Sequence, residues 1–331
     1  MKNPDVSVVM ATYNDGRFLH QAIDSIIAQS YSDFELIVVD DASTDDSASI
    51  LQAYLKSDDR IRYFRNEKNI GCHASFNKGI RYANPQSKFL IVFNSDDWWE
   101  SSLLATLTHH AERNPRVVVT HSDLYRTNEA GHILQRHSRI FPRLPPPGVH
   151  HAVEELLVNC YFATHTTLIN RERMASLYPT SQPFDPSLVY VGDYCLWLQL
   201  FLRGGQGFYV DEPLAYFRKH SGQQTSERNI VNRLEEEVAM FRYHVNELIS
   251  PQWEAIYKEV ISVRCAALAF ELLGRGNTGA VGEYLSVARD YQRSRRLDVW
   301  LAEVIIRLPL PVRGQTRLWN SALKMRKRLP L

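Results

Sequence analysis

Three short apolar runs in the first hundred residues each end abruptly in polar or acidic residues, and this pattern narrows the fold sharply. Val6 to Ala11 runs into Thr12-Tyr13-Asn14, Phe34 to Val39 into Asp40-Asp41, and Phe89 to Phe93 into Asn94-Ser95-Asp96-Asp97. Phe34 to Val39 has no polar alternation after Glu35, as expected of a strand covered on both faces in a parallel sheet. Between the runs lie stretches of helical period, Phe18 to Gln29, a segment to about Lys56 that Ser43 or Thr44 can cap, and Ala74 to Tyr82. With Ile61 to Phe64 as a further strand, the alternation predicts a doubly wound α/β fold with a mostly parallel sheet. Ligands of such sheets bind beyond the carboxyl ends of the strands, where the acidic residues fall.

At 331 residues the chain has room for about two domains. Hydrophobic residues at 44% against 23% charged exclude a disordered or fibrous chain. A formal charge of +1 supplies no global field for nucleic acid, so none is expected as a partner. No apolar run is long enough to span a membrane, and Val6 to Ala11 lacks the flanks of a signal peptide. Cys72, Cys160, Cys195 and Cys265 have neither zinc nor disulfide-scaffold spacing, which suits reduced thiols in a cytoplasmic protein.

The regular periods fade from Arg136 to His151, where prolines cluster. They resume with Thr166 to Ile169 and Phe208 to Val210 as strands and Asp193 to Leu202 as a helix. Beyond Glu227 only helical segments follow, at Val231 to Leu248, Trp253 to Leu273, Ala280 to Tyr291 and Val299 to Leu308. The expected division is an α/β domain over 1–226 and a helical extension over 227–331.

Neither a glycine-rich dinucleotide turn nor a P-loop follows the first strand. Carboxylate beside phosphate is repulsive unless a divalent cation lies between them, so the acidic strand ends imply a metal-bridged nucleotide. At these residues the chain resembles the inverting glycosyltransferases of family 2, which have the glycosyltransferase A fold and use nucleotide-diphospho-sugars. The resemblance runs from the opening strand and Thr12-Tyr13-Asn14 through Asp40-Asp41-Ala42-Ser43-Thr44-Asp45, Asn69 to Gly79 and Asn94 to Asp97. It continues with Gly192 to Trp197 and Leu214 to His220, so that it covers about residues 5 to 226.

The resemblance implies a role for each match. Thr12, Tyr13, Asn14, Asp41 and Asp96 would meet the nucleotide, Tyr13 by stacking and Asp41 by accepting a base N–H. Asp97 would be the direct ligand of a Mn or Mg ion, with Asp96 at the ribose or second in line and His220 as a further ligand; Arg218 or Lys219 could neutralise phosphate. Asp193 would be the general base that takes the acceptor's proton. The same residues also suit plainer work. The Asp41 to Asp45 run is a good N-cap cluster, Asp96-Asp97 could open a helix, and Asp193 could cap its own. Two positions depart from the family pattern: Asn94 replaces a frequent aspartate, and Gly192 replaces the glutamate before the base.

The implied activity is transfer of a sugar from a UDP- or dTDP-sugar to a hydroxyl of a glycan or lipid-linked saccharide in surface polysaccharide synthesis. A non-catalytic glycan- or partner-binding protein on the same fold is the alternative that Asn94 and Gly192 favour. A sugar nucleotidyltransferase would need a glycine-rich, basic loop after the first strand, which is missing. From Arg307 to Leu331 seven Lys/Arg and no acid are interleaved with apolar residues, as in a segment that docks on its own protein or lies on the inner face of a membrane.

Overall fold

A computed structural model describes residues 3–141 and 144–291. They divide into two compact units, with the break between Gln223 and Gln224. The first unit carries every described strand. In chain order it runs β1 (Val6–Thr12), α1 (Gly16–Ile27), β2 (Phe34–Asp40), α2 (Ser47–Tyr54), β3 (Ile61–Arg65), α3 (Cys72–Tyr82) and β4 (Phe89–Asn94). Then follow β5 (Trp98–Trp99), α4 (Leu103–Arg113), β6 (Val119–Thr127), β7 (Ile133–Arg136), β8 (Gly148–His150), α5 (Val153–Val158), β9 (Thr167–Asn170), α6 (Arg171–Leu177), α7 (Gly192–Leu202) and β10 (Gly207–Arg218).

These strands form one ten-stranded sheet in the order β3-β2-β1-β4-β9-β6-β10-β5, with β7 beside β6 and β8 beside β10. The first four are parallel, as their unbroken apolar runs predict; every residue of β1 and β2 is buried. The second half departs from the parallel expectation. The short strand β9 runs antiparallel to both β4 and β6 and so joins two parallel blocks, β1–β4 and the β6–β10 pair. The sheet is therefore mixed. Phe208 to Val210, read as a strand, and most of the Leu214 to His220 match form one continuous β10, with register shifts on either side of Pro213, whose missing N–H cannot join a ladder.

Helix α1 turns Phe18, Leu19, Ala22, Ile23 and Ile26 onto the sheet, a stripe of helical spacing that seals one face. Helix α3 lies so close to β1 that the position of Gly79 admits no side chain: a Cβ there would stand 2.3 Å from Val9 Cγ1. Ser43 and Thr44 do not cap α2, which starts only at Ser47. Ser43 Oγ instead accepts the Asn14 N–H at 3.0 Å, and Asn14 Oδ1 accepts the Thr44 N–H at 2.7 Å. Asp45 binds the start of both helices, accepting the N–H of Gly16 at 2.9 Å and of Ser47 at 3.0 Å. The proline-rich stretch is less irregular than its composition suggests, since it holds a 3-10 turn over His137–Ile140 and β8.

The second unit contains α8 (Ile230–Ala239), α9 (Glu254–Gly274) and α10 (Val281–Asp290). The helix expected over Val231 to Leu248 breaks after Ala239 into a π turn and then a 3-10 turn. Tyr257 of α9 holds that break, its hydroxyl oxygen standing 2.8 Å from both Phe241 O and Asn246 Oδ1, the two acceptors for its one proton. Among the described residues no helix is long and apolar enough to cross a membrane. The segment Val299 to Leu308 and the basic stretch from Arg307 lie outside the described residues.

Candidate active site

Parallel register brings the ends of three strands to one edge of the sheet: Thr12 pairs with Asp40, and Ala11 with Asn94. The polar residues after each strand therefore share a crevice. In the first loop Thr12 is buried, Tyr13 is 47% exposed, and Asn14 takes a left-handed conformation at φ 56°, which asparagine tolerates better than most residues.

Asp41, expected to accept a base N–H, is 3% exposed and already has donors within the chain. Its carboxylate accepts Asn66 Nδ2 at 2.7 Å and the N–H groups of Ile70 and Gly71 at 2.8 Å each. It thereby fixes the loop that leads into α3, where Gly71 adopts φ 89°.

The third loop separates its two acids. Asp97 turns inward and is 1% exposed; its Oδ1 accepts the Arg218 N–H at 2.9 Å. Its Oδ2 lies 3.1 Å from His165 Nδ1, without hydrogen-bond alignment. Burial, and then the charge of Asp96, push the Asp97 carboxyl well above the usual range. Burial likewise holds His165 down to about 3. Asp96 turns toward the crevice, with Oδ2 3.0 Å from His220 Nε2. Asp97, expected as the direct metal ligand, thus faces inward, while Asp96 and His220 present a carboxylate and an imidazole side by side at the crevice.

The guanidinium of Arg218, a candidate for phosphate, is committed elsewhere. It donates to Asp96 O at 2.9 Å and Glu129 O at 2.7 Å, and it lies 4.7 Å from the Phe18 ring and 4.4 Å from the Trp98 ring. It ties β10 to the acidic loop. Asn94, in place of a frequent aspartate, donates to Thr164 Oγ1 at 3.3 Å.

Asp15 completes the acidic group, and no motif pointed to it; its place directly after Thr12-Tyr13-Asn14 is the one signal the sequence offers. Its Oδ2 accepts the Ser95 hydroxyl at 2.6 Å. Burial, and then the charge of Asp96, push it up to about 6. Such crowding of carboxylates is the field that a divalent cation relieves. Among the described residues no three His, Cys, Asp or Glu side chains converge as metal ligands. Asp96 and His220 are the neighbouring side chains there whose chemistry could hold a hard cation.

Asp193 stands at the first turn of α7. This helix is buried almost all round, with Leu196, Trp197, Leu200 and Phe201 each at most 1% exposed. Tyr194 anchors it through hydrogen bonds from its hydroxyl to Leu156 O and Leu157 O at 2.6 and 3.1 Å. Asp193 Oδ1 accepts the Tyr194 N–H at 2.7 Å. Burial raises its carboxyl above the usual range, and His73 opposes the rise. At the start of α3, burial and then the charges of Asp193, Asp96, Asp41 and Asp15 push the Cys72 thiol up.

The sequence model of the family described as Glycosyl transferase family 2 matches residues 7–175. A Bacillus subtilis strain 168 protein named for teichuronic acid biosynthesis, the glycosyltransferase TuaG, is 29% identical over 220 residues, which span 65% of this chain and 79% of the relative. Matches to other relatives span as little as 34% of their length. Among solved structures, S. aureus TarS 1-349 in complex with UDP-GlcNAc aligns with a TM-score of 0.58 at 14% identity, covering 87% of this chain and 89% of that one. The mannosyltransferase PcManGT from Pyrobaculum calidifontis, in complex with GDP-Man and Mn2+, aligns with a TM-score of 0.59 at 16% identity, covering 97% and 85%. The mixed sheet with its flanking helices has the glycosyltransferase A fold of these neighbours, and with the family match over half its length the chain belongs to glycosyltransferase family 2.

Proposed function

We propose that this glycosyltransferase moves a sugar, with inversion, from a nucleotide-diphospho-sugar to a hydroxyl of a glycan or lipid-linked saccharide during surface polysaccharide synthesis. The gathering of these loops at one edge of the sheet carries the reading: the strand ends meet in register, Asp41 bonds Gly71 just before α3, and His73 of α3 packs against Gly192, which sets the candidate base Asp193 beside the candidate nucleotide crevice. The TarS complex with UDP-GlcNAc and the name of TuaG support a UDP- or dTDP-sugar donor and a polysaccharide product.

Asp193 accepts the proton of the acceptor hydroxyl as its oxygen bonds to the anomeric carbon. The bond from that carbon to the diphosphate breaks in the same displacement, and its electron pair leaves with the diphosphate, so configuration inverts. A carboxyl raised by burial is a stronger base than a solvated one. Thr12, Tyr13 and Asn14 border the nucleotide, Tyr13 offering an exposed ring for stacking, while Asp41 secures the loop behind it. Asp96 and His220 would hold a Mn or Mg ion, which when bound offsets charge developing on the leaving diphosphate. The catalytic domain in this reading is 1–226, and 227–331 is its helical extension.

Asp193→Asn is expected to retain nucleotide binding and lose turnover by about 100-fold or more, since a positioned base contributes on that scale. Asp96→Ala should weaken UDP binding when Mn is present and leave metal-free binding little changed. A panel of nucleotide diphosphates and sugar nucleotides, read by thermal shift with and without Mn, checks both the donor and the metal. Normal turnover of the Asp193 variant overturns the base assignment, and failure of every nucleotide to bind favours the non-catalytic module.

A further inference from the structure

Residue 192 has no side chain, and the structure shows what occupies the space. A Cβ on Gly192 would stand 2.6 Å from His73 Nδ1 and 2.7 Å from its Cε1, inside van der Waals contact. The imidazole of His73, carried on α3, therefore fills the volume beside the proposed base. Two further contacts fix the ring. Its Nδ1 lies 2.5 Å from Leu188 O, and its face stacks on Phe184 with centroids 5.7 Å apart and planes 2° from parallel. A carbonyl oxygen only accepts, so Nδ1 carries the proton and Nε2 is the nitrogen left to respond to its surroundings. No motif assigns His73 a role.

We propose that His73 is the positioning residue for Asp193: held by Leu188 O and Phe184 in the space a side chain at 192 would need, it fixes the first turn of α7 and with it the Asp193 carboxylate. This rests on the assignment of Asp193 as general base. The charged and titratable groups around Asp193 support it. The imidazole favours the ionised carboxylate against the cost of burial. Cys72 on the same helix and Cys195 on α7 are thiols pushed up by burial, the latter to about 12, so neither contributes charge at neutral pH. An imidazole and a missing side chain act as one unit, α3 supplying to α7 what position 192 lacks.

Two experiments decide the proposal. In thermal unfolding without ligand, Gly192→Ala should lower Tm by several degrees, about 1–3 kcal/mol of overpacking, and His73→Ala with Gly192→Ala should recover most of the loss. Additive losses would mean that the two positions do not share one volume and would overturn the packing half. For the effect on the base, the Asp193 carboxyl carbon is identified as the NMR signal absent from Asp193→Asn and titrated in wild type and His73→Gln. The glutamine keeps a donor for Leu188 O, so the fold is retained. The proposal expects the Asp193 titration to move up by about one pH unit. The acid limb of turnover should move with it, for whichever UDP- or dTDP-sugar the wild type hydrolyses, with KM for that donor unchanged. An unmoved titration in a folded variant overturns it, as does a loss of kcat without any change in pH profile. Should Asp193→Asn itself turn over normally, the base assignment fails instead, and the two failures are told apart.

Discussion

Asp15 ionises against its neighbours. Its carboxyl, at about 6, stands above the ordinary 3.8 because burial and Asp96 disfavour the charge. The raised folded value means that ionisation opposes folding: the penalty is absent below about 3.8, grows as pH rises toward 6 and is complete above it. Asp15→Asn should therefore stabilise the metal-free protein at pH 7.5 by about 1–2 kcal/mol, with the gain fading toward pH 4, as thermal unfolding across that range would measure. A destabilised variant at pH 7.5 would mean that the Ser95 hydrogen bond outweighs the repulsion. At this scale the sequence locates chemistry but not orientation. Asp96 and Asp97 are adjacent in a turn, yet one meets His220 at the crevice and the other is sealed against Arg218 and His165. Adjacent positions carry no hint of which way each faces. His73 and His165 stand in no acidic motif and are brought in by packing alone.

Helix α3 shows what sets the distance between an element and the sheet. Gly79 lets the helix backbone approach β1 and β2, since a Cβ at this position would lie only 2.3 Å from Val9 Cγ1 and 3.3 Å from Val39 Cγ2. On an exposed helix the change to alanine gains about 1 kcal/mol of helix propensity. Here Gly79→Ala is expected to cost about 1–3 kcal/mol net, because two buried strands cannot recede. Urea unfolding measures it, and because α3 also carries Cys72 and His73, nucleotide-sugar turnover should fall in the same variant. The parallel strands were legible because full burial leaves an unbroken apolar run. The reversal at β9 was not, since a four-residue strand, Thr167–Asn170, reads alike in either direction. The π turn after Ala239 was hidden for a similar reason: Val231 to Leu248 keeps a helical period through the break, which Tyr257 stabilises from another helix.

Across the α/β unit, buried imidazoles govern the response to acid. Burial drives His137 and His150 down to about 4, His165 to about 3, and His121 well below its ordinary range, with His150 adding to the effect on His121. Folded values below the ordinary 6.5 mean that this stability is fully present above pH 6.5 and drains away as pH falls toward 4. Each such histidine contributes a slope of up to about 1.4 kcal/mol per pH unit in that window. Stability to urea should thus fall steeply from pH 7 to pH 5, against the smaller and opposite trend of Asp15. His150→Gln should flatten the slope by up to one histidine's share, and an unchanged slope would assign the acid sensitivity elsewhere.

The bond from the Arg218 N–H to Asp97 spans 121 positions of the chain. It gives assembly a direction in time. A nascent polypeptide that has emerged only as far as β9 holds an inward-facing acid that still lacks the Arg218 N–H, so the crevice cannot set until the ribosome has delivered the last strand. Truncations short of Arg218 should therefore yield no partly competent enzyme, however complete their acidic loops.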